Sequence, residues 1–153
     1  MVNLKELIIA ILICQLAGII GSIFTFDSVS LWYPTLVKPS FTPPSWVFAP
    51  VWITLYTLMG ISLYWIYNSK LKDKKAFYVF GGQLILNALW SIVFFGFHLI
   101  FVSFLIIVLL WILILLTMVL FYKVDKKAGI ILIPYLLWVS LATLLNYYLW
   151  ILN

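Results

Sequence analysis

Four groups of residues carry aromatic or polar chemistry at helical spacing. Gln83, Asn87, Trp90, Ser91 and Phe94 recur at i, i+4, i+7, i+8 and i+11, which places two amides, a hydroxyl and two rings on one helix face. Tyr135, Trp138, Ala142 and Asn146 recur at i, i+3, i+7 and i+11. Trp52, Tyr56 and Met59 line one side of another segment, with Gly60 beside them. Gly18 and Ser22 form a small-xxx-small pair that lets a neighbouring helix come close. Such stripes serve either helix–helix packing with interhelical hydrogen bonds or the wall of a binding site, where rings stack on flat apolar molecules and amides and indoles supply hydrogen bonds. Acid–base chemistry has few players, because the chain has one histidine and four acidic residues, the latter all outside the apolar runs. No GxSxG, P-loop, HExxH or Ser/His/Asp arrangement occurs. Cys14 is the only cysteine, which excludes an internal disulfide and a cysteine-based metal motif. His98 is of a type that ligates tetrapyrrole iron, but it falls at a turn with no companion ligand and reads as an interfacial residue.

The elements that position these residues follow from composition. Of 153 residues, 67% are hydrophobic and 8% charged, where a soluble domain carries roughly 25% charged residues. This is a membrane protein of one domain, residues 1–153. A spanning helix needs ~20 mostly apolar residues, and five segments qualify: Leu7–Phe26, Trp46–Tyr67, Ala76–Phe97, Ile100–Tyr122 and Ala128–Ile151. None shows period-2 alternation, so the spans are helices rather than strands of a barrel. The fold class expected is an all-α five-transmembrane-helix bundle. The first span exceeds the length of a signal-peptide core and is kept as part of the bundle.

Lysine sets the orientation. With five spans, Lys5, Lys70, Lys72, Lys74, Lys75, Lys123, Lys126 and Lys127 share one side, and Lys38 alone lies on the other. The positive-inside rule then predicts a cytoplasmic N-terminus and an external C-terminus, in a cell membrane. Lysines grouped between apolar runs, with no arginine, are topology determinants and do not point to nucleic acid.

The first connection, Trp32 to Trp52, reads WYPTLVKPSFTPPSWVFAPVW. Pro34, Pro39, Pro43, Pro44 and Pro50 stiffen it. Trp32, Trp46, Tyr67, Tyr122 and Trp150 suit an interfacial belt, whereas Trp52, Trp90 and Trp138 fall inside their spans, where an indole N–H seeks an acceptor. Trp52, Trp90, Ser91, Thr143 and Asn146 lie in the outer halves of the spans, beneath this loop, with Asn87 and Trp138 near mid-depth. The expectation is an aromatic cavity with a lid bearing Trp32, Tyr33, Phe41 and Trp46. Its candidate ligand-binding residues are Trp32, Phe41, Trp52, Tyr56, Asn87, Trp90, Ser91, Trp138, Ala142 and Asn146, and the expected guest is large, flat and hydrophobic. Pro134 is expected to bend the fifth span.

WYPTLVKPSFTPPSWVFAPVWITLYTLMG, QLILNALWSIVFFGF and PYLLWVSLATLLNYYLWILN, in that order, resemble the TspO/MBR family of tryptophan-rich sensory proteins and translocator proteins, once called peripheral benzodiazepine receptors. The resemblance covers nearly the whole chain. It implies a five-helix bundle, usually dimeric, that binds porphyrins and in some members cholesterol and synthetic isoquinoline or benzodiazepine ligands, in a cavity beneath the first loop. By position the family's pocket tryptophans match Trp52 and Trp138, its pocket asparagine Asn87 and its small fifth-span residue Ala142. No basic residue follows Tyr147 and Tyr148, so the cholesterol pattern is incomplete there. The dimer face is expected on the third span with Gly81, Gly82 and Gly96, with Gly18 and Ser22 as the alternative.

Three functions follow as expectations. The first is a tetrapyrrole-binding protein, for protoporphyrin IX or a similar molecule, that senses, scavenges or carries its guest, with no covalent cofactor and no metal. The second is light- and oxygen-dependent porphyrin degradation, with Trp52 and Trp138 as the candidate catalytic residues. The third is a structural or regulatory membrane partner that needs no small ligand.

Overall fold

Asn3 opens the first helix by accepting a hydrogen bond from the Glu6 N–H at 3.4 Å. In the computed structural model, described over residues 2–71 and 73–153, helix α1 then runs Leu4–Leu31. It runs on past the predicted span through the polar stretch at 27–30, where the Ser30 hydroxyl bonds back to the Phe26 and Asp27 carbonyls. A 3-10 turn, Tyr33–Thr35, and another, Ser45–Val47, bracket the proline-rich loop. Helix α2 spans Phe48–Tyr67, and α3, capped by Asp73, spans Lys74–Ser91. The third span does not stay α-helical to Phe97. It widens into a π turn at Ile92–Gly96 and ends at His98, whose φ of 57° lies in the left-handed region. Helix α4 is Ile100–Val124.

The fifth span is two helices rather than one bent helix. Helix α5 is Lys126–Ile130, capped by Asp125, and α6 is Ile133–Leu152, with Pro134 in its first turn. Proline lacks the N–H that would continue the preceding helix, so the break falls just before it. All five predicted spans are present and long and apolar enough to cross a membrane. The described residues hold no strand. Lys5, Lys70, Lys74, Lys75, Lys123, Lys126 and Lys127 fall at one end of the bundle, and Lys38 at the other. Lys72 lies outside the described residues.

Helix α1 packs on α2 and α3, and α4 packs on α3, α5 and α6. The α1–α2 contact is backbone on backbone. A Cβ placed on Gly60 would stand 2.4 Å from the Ile11 Cα, and one on Gly18 would stand 2.4 Å from the Tyr56 ring. The small residues that α1 turns inward are Gly18 and Gly21, the latter against Ser91, rather than Gly18 and Ser22. The main core lies toward the lysine-rich end, around Met59, Phe80, Ile114, Phe121 and Tyr135. A smaller one, Tyr33, Phe94, Phe95 and Leu149, lies under the first loop. Helix α2 reaches the fifth span chiefly through α5 rather than α6, and a space is left at the loop end.

Candidate ligand-binding cavity

That space is a cavity of about 610 Å³. Helix α2 gives it Phe48, Trp52 and Tyr56, which sit at i, i+4 and i+8 and so share one face. From α3 come Asn87, Trp90 and Ser91, and from α6 Trp138, Ala142 and Asn146. The π turn adds Phe94 and Phe95, α1 adds Gly18, Gly21, Thr25 and Val29, and the loop adds Tyr33 and Ser45. The rings form a connected wall. Trp52 stacks near Tyr56 at 5.6 Å between centroids and lies 6.4 Å from Trp90, and Trp90 stacks on Phe94 at 5.6 Å. Phe48 meets Trp138 edge-on at 6.1 Å.

Beneath the rings runs a buried polar chain. The Tyr56 hydroxyl donates to Asn87 Oδ1 at 2.5 Å, and Asn87 Nδ2 donates to Tyr135 Oη at 2.9 Å. Tyr135 then donates to Gln83 Oε1 at 2.7 Å, and Gln83 Nε2 reaches the Met59 sulfur at 3.6 Å. Three spans are tied together this way, with every side chain of the chain buried. A second node is Asn146. Its Oδ1 accepts from Trp90 Nε1 at 2.9 Å and Ser103 Oγ at 3.1 Å, while its Nδ2 donates to the Ile100 carbonyl at 2.9 Å. The stripes found by spacing are therefore both cavity wall and interhelical glue, a common use of amides within a bilayer.

Of the ten predicted binding residues, Trp52, Tyr56, Asn87, Trp90, Ser91, Trp138, Ala142 and Asn146 line the cavity. Trp32 and Phe41 do not. Trp32 stacks on His98 at 4.0 Å and 14°, and meets Phe94 edge-on. Phe41 packs on Tyr148. Their places are taken by Tyr33 and Phe48. After α1 ends, the 3-10 turn buries Tyr33 and leaves Trp32 on the π turn. Burial pushes the Tyr33 phenol up to about 12. The signal for Phe48 was in the sequence, one helical repeat before Trp52.

The first part of the loop is tied down at two points. At one, Ser28 donates to the Phe95 carbonyl and sits 3.0 Å from His98 Nε2, beneath the Trp32–His98 stack. His98 is thus a packed turn residue, and the described residues hold no cluster of histidine, cysteine or acidic side chains able to bind a metal. At the other, Asn153 Oδ1 accepts from the Val37 N–H at 2.9 Å, and its Nδ2 donates to the Val37 carbonyl at 3.0 Å. Next to Val37, Lys38 folds back on its own loop, with Nζ donating to the Tyr33 and Leu36 carbonyls at 2.8 and 2.9 Å.

The family model for the TspO/MBR family matches residues 10–151. A tryptophan-rich protein TspO of Archaeoglobus fulgidus is 41% identical over 99% of both chains. One from Chlorobaculum tepidum is 43% identical over 95% of this chain and 94% of its own. The human translocator protein is 35% identical over 89% of this chain and 83% of its own. With five spanning helices, these likenesses along nearly its full length and an aromatic cavity beneath its first loop, the chain belongs to the TspO/MBR family of integral, multi-pass membrane proteins.

Proposed function

We propose that this protein binds flat, hydrophobic molecules, with protoporphyrin-like tetrapyrroles foremost, between Trp52 and Trp138, and serves in their sensing, scavenging or transport. The observation that carries this reading is a cavity of about 610 Å³ walled by Phe48, Trp52, Trp90, Phe94 and Trp138, with Asn87 at its floor. Ligand pockets run roughly 300–1,000 Å³, mostly apolar with a few placed polar groups. The lysine distribution orients the cavity toward the outer leaflet of a cell membrane, with the N-terminus cytoplasmic. A homodimer through α3 is consistent with Gly81, beside which an added Cβ would meet nothing within 4 Å; Gly82 and Gly96 instead face Leu113 and Phe24 of the same chain. The test is tryptophan quenching on titration with protoporphyrin IX. The double variant Trp52→Phe/Trp138→Phe weakens binding if the reading holds, and unchanged affinity removes these residues from the site.

A second reading, photo-oxidative breakdown of the bound porphyrin, is favoured by one feature. Trp52 has three oxidisable rings, Tyr56, Tyr135 and Trp90, within 5.6–6.4 Å between centroids. It predicts a new absorbing product on illumination in air that disappears when Trp52 or Trp138 is replaced. Bleaching at the same rate beside an inert membrane protein refutes it.

A further inference from the structure

The end of the bundle away from the cavity carries charge that the chain does not neutralise. Lys5, Lys70, Lys74, Lys75, Lys123, Lys126 and Lys127 are all exposed there. Among the described residues, none of their ammonium groups has a hydrogen-bond or ion-pair partner. The carboxylates at this end are directed elsewhere. Asp73 Oδ1 accepts from the Lys75 N–H at 2.9 Å, and Asp125 Oδ1 accepts from the Lys127 and Ala128 N–H groups at 2.8 and 3.4 Å. Each caps the helix that follows it. Glu6 keeps one carboxylate oxygen buried, with no partner.

Five of these lysines converge. Phe80 of α3 stacks on Phe121 of α4 at 5.4 Å between centroids. Beyond that stack, toward the end of the bundle, α3 begins at Lys74 and Lys75, and α4 gives way to α5 through Lys123, Lys126 and Lys127. Ala76 and Ala128 are fully buried beside these lysines, and Ser62 of α2 donates to the Ala128 carbonyl at 2.7 Å. The elements pack down on small side chains, so the five ammonium groups share one end surface. Large apolar side chains are mixed with them. Tyr78, 76% exposed, lies i+4 from Lys74 and i+3 from Lys75, on their helix face. Tyr122 precedes Lys123 and is 47% exposed, and Ile130 closes α5 at 51%. Phenol rings and cations at the ends of spanning helices belong where acyl chains meet headgroups. The uncompensated lysines call for an anion, and the exposed rings call for one carried on hydrocarbon. A free phosphate meets only the first requirement.

We propose that Lys74, Lys75, Lys123, Lys126 and Lys127 form a seat for the phosphate headgroup of an anionic phospholipid, with Tyr78 and Tyr122 beside its upper acyl chains. This seat is independent of the cavity and of what the cavity binds. The test is native mass spectrometry of the purified full chain in detergent, titrated with dioleoyl phosphatidylglycerol or dioleoyl phosphatidylcholine. The first phosphatidylglycerol binds about tenfold or more tightly than the first phosphatidylcholine. A lysine beside an anionic headgroup is worth roughly fivefold in binding. Lys74→Gln/Lys75→Gln and Lys123→Gln/Lys126→Gln/Lys127→Gln therefore each lower the preference for phosphatidylglycerol to about twofold or less. The preference is a ratio within one protein, so fractional misfolding does not imitate its loss. Replacing the same five residues by arginine keeps it. Lys38→Gln, at the other end, leaves it within about twofold, and Lys5→Gln/Lys70→Gln lowers it by less than about threefold. The proposal is overturned if the two lipids bind equally, if the preference survives both glutamine variants, or if Lys5→Gln/Lys70→Gln removes as much of it as Lys74→Gln/Lys75→Gln. Displacement of the bound lipid by millimolar glycerol 3-phosphate also overturns it, and assigns the lysines to a soluble phosphate instead.

Discussion

Replacing Asn87 by leucine tests the buried polar chain at the cavity floor. Asn87 is 2% exposed. The substitution removes the acceptor of the Tyr56 hydroxyl and one donor to Tyr135, which keeps its own donation to Gln83. A buried hydroxyl left without a partner costs about 1–3 kcal/mol, and the lost bond to Tyr135 adds about 0.6 kcal/mol, the average for bonds between membrane helices. The expected loss is about 2 kcal/mol, or about 4–8 °C in melting temperature at this size. Tyr56→Phe alone costs about 1 kcal/mol, because the ring still fills its place against Gly18. The double variant removes both orphans and recovers much of the loss, so the two changes couple by about 1 kcal/mol. The assay is thermal and denaturant unfolding of the four ligand-free proteins in one detergent. Additivity within about 0.3 kcal/mol, or an Asn87→Leu protein as stable as wild type, refutes the network.

Gly60→Ala should destabilise by about 2 kcal/mol or more, because the added carbon collides with the Ile11 backbone. Gly81→Ala, with open space beside it, should be neutral or slightly stabilising in the monomer; equal unfolding curves for the two variants contradict the α1–α2 contact. Asn153→Ala removes both hydrogen bonds to Val37, so amide exchange at Val37 should speed up while the transmembrane amides stay protected; unchanged exchange contradicts the clamp. The Tyr33 phenol is raised by burial from 10.0 to about 12, so the unfolded chain releases this proton first. Its contribution is constant below pH 10 and is lost as pH rises toward 12, a decline that unfolding measurements on Tyr33→Phe should lack.

Hydropathy and spacing reach the helices and most of the cavity wall because both are periodic. A residue four places along a helix faces the same way, so Asn87, Ser91, Trp138 and Ala142 could be grouped before any coordinates. The loop offers no period. Trp32 looks equivalent to Tyr33 on the page, and only the 3-10 turn after α1 decides which ring turns inward. The π turn at Ile92–Gly96 and the left-handed His98 were equally hidden. They depend on Ser28 and Trp32, 66 or more residues earlier in the chain, which no local pattern exposes. The break before Pro134 was half visible, since proline forbids continuation but does not say whether a helix bends or stops. The commitment of Lys38 to its own loop had no sequence signal, because a lone lysine reads the same whether free or folded back.

The most direct measurement is a structure of the protein with a porphyrin bound. The account predicts macrocycle density inside the cavity, flanked by the indoles of Trp52 and Trp138, with Asn87 below and Tyr33 above. A macrocycle on the lipid-facing surface, with the space between those two indoles unfilled, contradicts it.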